Sequence, residues 1–247
     1  RDAGEFLRVV NAGRIHADEG RLVTFGIVPT TPETGYGYIE AAEPLCNETP
    51  KGVPIARFVE KPDRSSAEKF LADGRFTWNS GIFLFKASAI LSELARLAPE
   101  VVSSCRAALE QDTADLDFLR LEREAFANCP NVAIDVAVME QTSLGTVLPL
   151  NAGWSDVGSW SALWETADKD ANGNVLRGNV IAEKSFNCYL RSEHRLIVGL
   201  GIKNLVVIET DDAVLIADKK EAQNVKNIVN ILEKEDRPEG IAHRKIY

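Results

Sequence analysis

The chain opens with apolar positions at helical spacing and then turns to apolar runs of strand length. Residues 2–17 read as a helix with Phe6, Leu7, Val10 and Ile15 on one side. Residues 21–28 form an apolar run that reads as a strand entering Pro29, and 29–37, rich in Pro, Thr and Gly, must be a loop. Strands are predicted over 36–42, 53–59 and 76–85. Ser65 and Glu68 have the spacing of a capping box that opens a short helix. Helices follow over 88–97, over 99–111 with Pro99 in the first turn, and over 115–127. A short helix at 135–141, a strand at 145–150 and a helix at 159–167 complete this part.

Past residue 168 the pattern changes. Short β-rich runs recur at 175–182, 187–190, 196–199, 205–208 and 213–217, punctuated by Gly, Asn and Asp. Residues 221–234 close the chain as a helix with Val225, Ile228, Val229 and Leu232 on one face. Strand–helix alternation followed by a run of strands predicts an α/β core over 1–169 and a small β-rich C-terminal subdomain with a closing helix over 170–247, the boundary lying near 169–174. There is no low-complexity tract and no strict repeat.

Composition narrows the classes. The chain has 247 residues, 45% hydrophobic and 26% charged, ordinary for a globular protein with one large domain or a domain plus an appendage. A net charge of −9 argues against a nucleic-acid partner but not against a small phosphorylated substrate, which needs only a few local cations. Cys46, Cys105, Cys129 and Cys188 form no C-x-x-C pair, which points to a reduced, cytoplasmic setting rather than a metal framework. Asn47-Glu48-Thr49 matches a glycosylation sequon by chance. No apolar run reaches the ~18 residues of a membrane span, and the N-terminus has no signal-peptide pattern.

Three stretches carry candidate chemistry. In Phe58-Val59-Glu60-Lys61-Pro62 the proline marks a strand end, where both charged side chains can reach a ligand in the crevice at the sheet edge. A carboxylate can accept from two sugar hydroxyls and an ammonium can neutralise a phosphate; a solvated ion pair is the alternative. In Trp78-Asn79-Ser80-Gly81 the amide offers a donor and an acceptor to a hydroxyl, and the glycine permits close approach; a bulge with a satisfied buried Asn is the alternative. Asp156, in Trp154-Ser155-Asp156-Val157-Gly158-Ser159-Trp160, suits a hard divalent cation whose other ligands are phosphates. Helix capping competes, although Ser159 can supply the cap. Gly35 and Gly37, around Tyr36, allow unusual φ and exposed N–H groups that could grip a sugar, or form a plain turn. Gly199-Leu200-Gly201 reads as a hairpin turn. Trp154, Trp160 and Trp164 read as core or pocket wall. His16, His194 and His243 lack ligand spacing.

The order of these stretches resembles the bacterial mannose-1-phosphate guanylyltransferases (GDP-mannose pyrophosphorylases), from near residue 1 to about 230, and residues 22–39 are the most family-specific part. The resemblance implies a Rossmann-like nucleotidyltransferase sheet that makes GDP-mannose and pyrophosphate from GTP and mannose 1-phosphate with Mg²⁺. It implies that Gly35 and Tyr36 line the sugar and nucleoside side, that Glu60 and Asn79 hold mannose hydroxyls, that Lys61 holds the sugar phosphate, and that Asp156 is one of two metal carboxylates. The family's Gly-rich phosphate loop, its P-K-Q and a second metal Asp do not occur here, so the chain is expected to begin after the first β-α units and to be inactive alone. Residues 244–247 fall about where an isomerase barrel starts in many members. Glu60, Lys61, Asn79 and Asp156 are expected to face one cleft. Two other readings stay open: a non-catalytic sugar-phosphate binding module, and a structural piece whose β-rich part self-associates, as in a homodimer.

Overall fold

The computed structural model describes residues 2–46, 48–110, 113–115 and 118–241. The sequon residue Asn47, residues 116 and 117 of the helix expected over 115–127, Gln111 at the end of the preceding helix, His243 and residues 244–247 lie outside the described residues. The chain divides into two compact units, Arg1–Trp154 and Ser155–Tyr247.

In the first unit, α1 (Ala3–Asp18) is capped by Asp2, whose carboxylate accepts from the Glu5 N–H. Its buried residues are Val9, Gly13 and Ala17, with Phe6 and Val10 packed beside them. Leu7 and Ile15, expected on that face, are exposed: the contact line follows the i, i+4 row from Val9 through Gly13 to Ala17, where small residues let the helix approach the sheet. Five strands follow: β1 (Leu22–Ile27), β2 (Tyr38–Ala41), β3 (Val53–Val59), β4 (Phe76–Leu84) and, after the helices, β5 (Gly145–Pro149). They close into a small barrel in the order β1-β4-β2-β3-β5. β1 and β5 run parallel, Leu22 opposite Gly145 and Gly26 opposite Pro149. Both are mostly apolar, each with one buried threonine (Thr24 and Thr146), because both faces are buried: Leu22 and Val147 join one core, Val23, Phe25 and Leu148 the other, under α1.

Between β3 and β4, α2 (Arg64–Asp73) packs Ala67 and Phe70 over Tyr38, Phe76 and Trp78. Its cap is Asp63, which accepts from the Ser66 N–H; the expected capping box at Ser65 does not form, and Glu68 pairs with Arg64 one turn back. α3 (Ala87–Leu97) and α4 (Pro99–Glu110) match expectation. The helix expected over 115–127 does not. Short strands Thr113–Asp115 and Phe118–Arg120 pair antiparallel, and only α5 (Arg123–Ala127), capped by Glu122, is helical. Residues 135–139 form a π-helical turn (Asp135–Met139) whose Ala137, Val138 and Met139 are buried in the core beside α3.

In the second unit, Ser159 caps α6 (Trp160–Thr166), its hydroxyl accepting from the Ala162 N–H. The run expected over 175–182 is two strands, β6 (Val175–Arg177) and β7 (Val180–Glu183), joined at Gly178, φ +79°. After β8 (Tyr189–Ser192), β9 (Ile197–Leu200), β10 (Leu205–Glu209) and β11 (Val214–Asp218), the pairing is that of a β-helix. Val180 pairs in parallel with Ile197 and Tyr189 with Val206, each seventeen residues on. Gly201, φ +68°, therefore turns between faces of the coil; Gly199–Gly201 is no hairpin, because β9 pairs in parallel with β7. Leu190, Val207 and Cys188 fill the coil interior. Trp160, Leu163 and Trp164 of α6 cover Tyr189 and Val206, so these two tryptophans are core. The closing helix begins as a 3-10 segment and becomes α7 (Val225–Lys234). Among the described residues no helix is long and apolar enough to cross a membrane.

Candidate functional site

Strand register builds the sugar side of the site. Tyr38 opens β2 and pairs with Val59, which closes β3, and with Trp78 of β4. Antiparallel pairing carried one residue on puts Glu60, Gly37 and Asn79 in one row across three strands, and the Asn79 N–H donates to the Gly37 carbonyl at 2.7 Å. Gly37 is a notch in that row. A Cβ there would lie 2.6 Å from Glu60 Oε2, 3.3 Å from Asn79 Cβ and 3.5 Å from the Phe58 ring. A carboxylate and an amide thus flank a glycine without a side chain. The positive φ that the G-x-G pattern suggested is absent: neither Gly35 nor Gly37 has one. A Cβ on Gly37 would crowd the Glu60 carboxylate, while a Cβ on Gly35 would meet open space.

Glu60 is 16% exposed and its carboxylate pairs with the Lys61 ammonium. Lys61, at φ +47°, turns the chain out of the strand ahead of Pro62, and its side chain is largely exposed. Asn79 is buried. Its Oδ1 accepts from the Thr24 hydroxyl at 2.9 Å and its Nδ2 donates to Asp135 Oδ1 at 3.0 Å. One amide proton and one oxygen lone pair are left over from these bonds. Beside it β4 bulges, residues 80–82 facing the one β1 residue between Thr24 and Gly26, and Gly81 within the bulge has φ +71°. Tyr36 stands edge-on to both Trp78 (centroids 5.2 Å apart) and Trp154 (5.7 Å). Trp154 also borders a pocket of about 240 Å³ lined by Asp2, Phe6, Ile82 and Leu150; Glu60, Lys61 and Asn79 do not line it.

Glu60, Lys61 and Asn79 are therefore brought together in the first unit. Asp156 belongs to the second unit. There it is exposed, its Oδ2 curled to 2.6 Å from where a Gly158 Cβ would sit, ahead of Val157 at φ +49°. Ser159, not Asp156, caps α6, so this carboxylate is not consumed as a helix cap. Among the described residues no group of three His, Cys, Asp or Glu is placed to hold a metal.

Three groups at the site escaped the sequence reading. Thr24 sat inside an apolar strand, and Asp135 and Glu140 sat at the ends of a short helical segment whose π geometry leaves no periodicity to read. The Glu140 carboxylate accepts from the Glu60 N–H at 3.0 Å. Further from the site, Glu93, buried in α3, is held below the usual carboxylate range by hydrogen bonds from Arg96 and then from Thr142, which tie α3 to the segment after the π turn.

Residues 178–232 match a model described as a MannoseP isomerase/GMP-like beta-helix domain. The chain is 46% identical over 250 residues to the mannose-1-phosphate guanylyltransferase of Salmonella montevideo, covering all of this chain and 53% of that protein. It is 44% identical over 247 residues to the one of Escherichia coli K12, covering 52% of it. The chain thus spans about half the length of these relatives. A crystal structure from Thermus thermophilus, described as a mannose-1-phosphate geranyltransferase, superposes with a TM-score of 0.74 at 29% identity, over 94% of this chain and 66% of that one. A Helicobacter pylori structure described as a mannose-6-phosphate isomerase gives a TM-score of 0.56 at 32% identity, over 63% and 59%. Residues 3–173 match the nucleotidyl transferase model, and the chain belongs to the nucleotidyl transferase family.

Proposed function

We propose that this chain carries the sugar-phosphate side of a mannose-1-phosphate guanylyltransferase, which joins mannose 1-phosphate to the α-phosphorus of GTP, giving GDP-mannose and releasing pyrophosphate. The observation that carries this reading is the row in which Glu60 and Asn79 flank the notch at Gly37. A pyranose offers adjacent hydroxyls, each both donor and acceptor. Glu60 accepts from them, and the remaining Asn79 proton and lone pair serve another. Lys61, at the rim beside Glu60, meets the phosphate. Gly35 and Tyr36 line the neighbouring side, with the Tyr36 ring held by Trp78 and Trp154.

The nucleophile is an oxygen of the sugar phosphate, whose second pKa of ≈ 6 leaves it largely ionised near neutral pH. No general base is then required, and the work of the protein is to orient two anionic groups and offset their repulsion. Lys61 supplies one positive charge for this. Glu60 and Asn79 fix the sugar so that the phosphate oxygen points in line. A divalent cation such as Mg²⁺ would supply the further neutralisation of phosphate charge. Asp156 is the residue of this chain that would hold it. A single exposed carboxylate fits a hard cation that takes most of its ligands from phosphate oxygens. We place the working boundary between transferase core and β-rich subdomain near 169–174, where the match over 3–173 ends and ahead of the match over 178–232. Four cysteines that are all free suit a reducing compartment, so the reading places the protein in the cytoplasm.

Calorimetric titration with mannose 1-phosphate, GTP and GDP-mannose, together with pyrophosphate release in the presence of Mg²⁺, tests the proposal. Saturable binding of mannose 1-phosphate that weakens in Glu60→Gln and Asn79→Ala supports it. No binding of mannose 1-phosphate by the folded protein overturns it.

A further inference from the structure

We propose that Asp135 is a positioning residue that locks the side-chain amide of Asn79 in one of its two orientations for sugar recognition. The inference rests on the sugar-phosphate reading of Glu60 and Asn79. A primary amide can turn over and exchange its oxygen with its NH₂ at little steric cost. Toward a sugar hydroxyl, which both donates and accepts, a free amide would present either end and discriminate poorly. Here the two ends are distinguished by their partners. Thr24, fully buried, donates its hydroxyl to Oδ1 at 2.9 Å. Asp135 faces Nδ2 at 3.0 Å. The Thr24 hydroxyl alone cannot fix the choice, because it can also accept, and it has a second acceptor in the Ile82 carbonyl at 3.2 Å. An ionised carboxylate can only accept. Asp135 therefore forces the NH₂ end toward itself and sets which proton and which lone pair are left for a ligand.

The π turn (Asp135–Met139) is built to hold this carboxylate still. Its apolar back, Ala137, Val138 and Met139, is buried in the core. Its C-terminal end is tied down by Gln141, whose amide donates to the carbonyls of Val136 and Ala137 at 3.2 Å. Thr142 bonds Glu93 of α3 just beyond. The same turn delivers Glu140 to the backbone N–H of Glu60 at 3.0 Å. One short element thus reaches both residues that flank the Gly37 notch, through side chain in one case and backbone in the other. A single π turn inside helical structure is a common device for aiming side chains at functional sites. This one aims two carboxylates at the two residues proposed to meet sugar hydroxyls.

The diagnostic variant is Asp135→Asn. It keeps size and shape, but its amide can donate as well as accept, so Asn79 is free to turn over. Two readouts test the inference. In ¹H–¹⁵N spectra of the protein without ligand, the Asn79 side-chain pair, assigned by its disappearance in Asn79→Ala, should shift or split in Asp135→Asn. An unchanged pair overturns the lock. In calorimetry with mannose 1-phosphate, Asp135→Asn should weaken binding by ~2- to 12-fold, the span of one neutral hydrogen bond. It should also narrow the preference over glucose 1-phosphate, and it should have no effect when added to Asn79→Ala. An equal loss in both backgrounds makes Asp135 merely structural and overturns the positioning role. If the unaltered protein binds no mannose 1-phosphate, the sugar reading fails and takes the positioning role with it, while the spectroscopic arm still reports on the amide by itself.

Discussion

Replacing Gly37 by Ala separates function from folding at this site. The added Cβ would sit 2.6 Å from Glu60 Oε2, against about 3.4 Å for an ordinary contact, so the carboxylate must retreat by roughly 0.8 Å. The atom that moves is the far end of a flexible side chain, and Gly37 has no positive φ to lose, so the fold gives way cheaply. A destabilisation under about 1 kcal/mol moves the Tm of a domain this size by no more than ~2–4 °C. Recognition is less forgiving. A charge-assisted hydrogen bond of about 2.8 Å lengthened by that amount is no longer one. Losing it costs about 1.5–3 kcal/mol, or ~10- to 150-fold in Kd. Calorimetry with mannose 1-phosphate and a thermal melt on the same sample give both numbers. An unchanged Kd with a normal Tm would show that the Glu60 carboxylate does not touch the sugar, and the proposed pocket would have to be abandoned.

The remaining predictions address the other residues. Lys61→Ala should weaken mannose 1-phosphate binding by roughly 10- to 150-fold; wild-type affinity would remove Lys61 from the site. Asp156→Asn should raise the Mg²⁺ concentration needed for pyrophosphate release, and normal turnover at limiting Mg²⁺ would show that Asp156 holds no cation. Gly178→Ala should destabilise the β-helix by more than about 2 kcal/mol, because its Cβ would fall 1.9 Å from the Ser192 carbonyl oxygen at φ +79°; a melt matching wild type refutes that. Glu209, buried at the end of β10, accepts from the backbone N–H groups of His194, Arg195 and Glu193 and from the Arg195 guanidinium, which holds its pKa down to about 2. Because the folded value lies below the unfolded ~4.3, the stability it lends is complete above about pH 4.5 and is lost as pH falls toward 2. Glu209→Gln should lower the Tm at pH 7, and the gap to wild type should close on acidification; a gap independent of pH counts against this account.

Much of the element order was legible because burial imprints a local period. The mostly apolar runs of β1 and β5 announce strands covered on both faces, and the helical spacing of α1 announces a helix, although Leu7 and Ile15 fall off its contact face and Val9, Gly13 and Ala17 fall on it. Where the reading failed, the deciding contact was not local. Residues 115–127 have helical composition, yet Thr113–Asp115 pair antiparallel with Phe118–Arg120. The β-helix escaped notice because its turns, fourteen residues from Val175 to Tyr189 and seventeen from Tyr189 to Val206, constrain only which positions point inward, not which residues occupy them. Ser65 was offered as a cap, but Asp63, two residues earlier, already satisfies the Ser66 N–H.

The sequence by itself determined which chemistry was available: a Glu-Lys pair before a proline, an amide before a glycine, an acid ahead of a helix that another residue caps. Covalent order and period carry that much. The tertiary structure alone decided that residues 37, 60 and 79 share one row, because strand register is fixed by pairing between segments distant along the chain. It also decided that Asp135, more than fifty residues past Asn79, accepts from that amide. A hydrogen bond of 3.0 Å depends on where two backbones meet, and no local pattern of residues encodes that meeting.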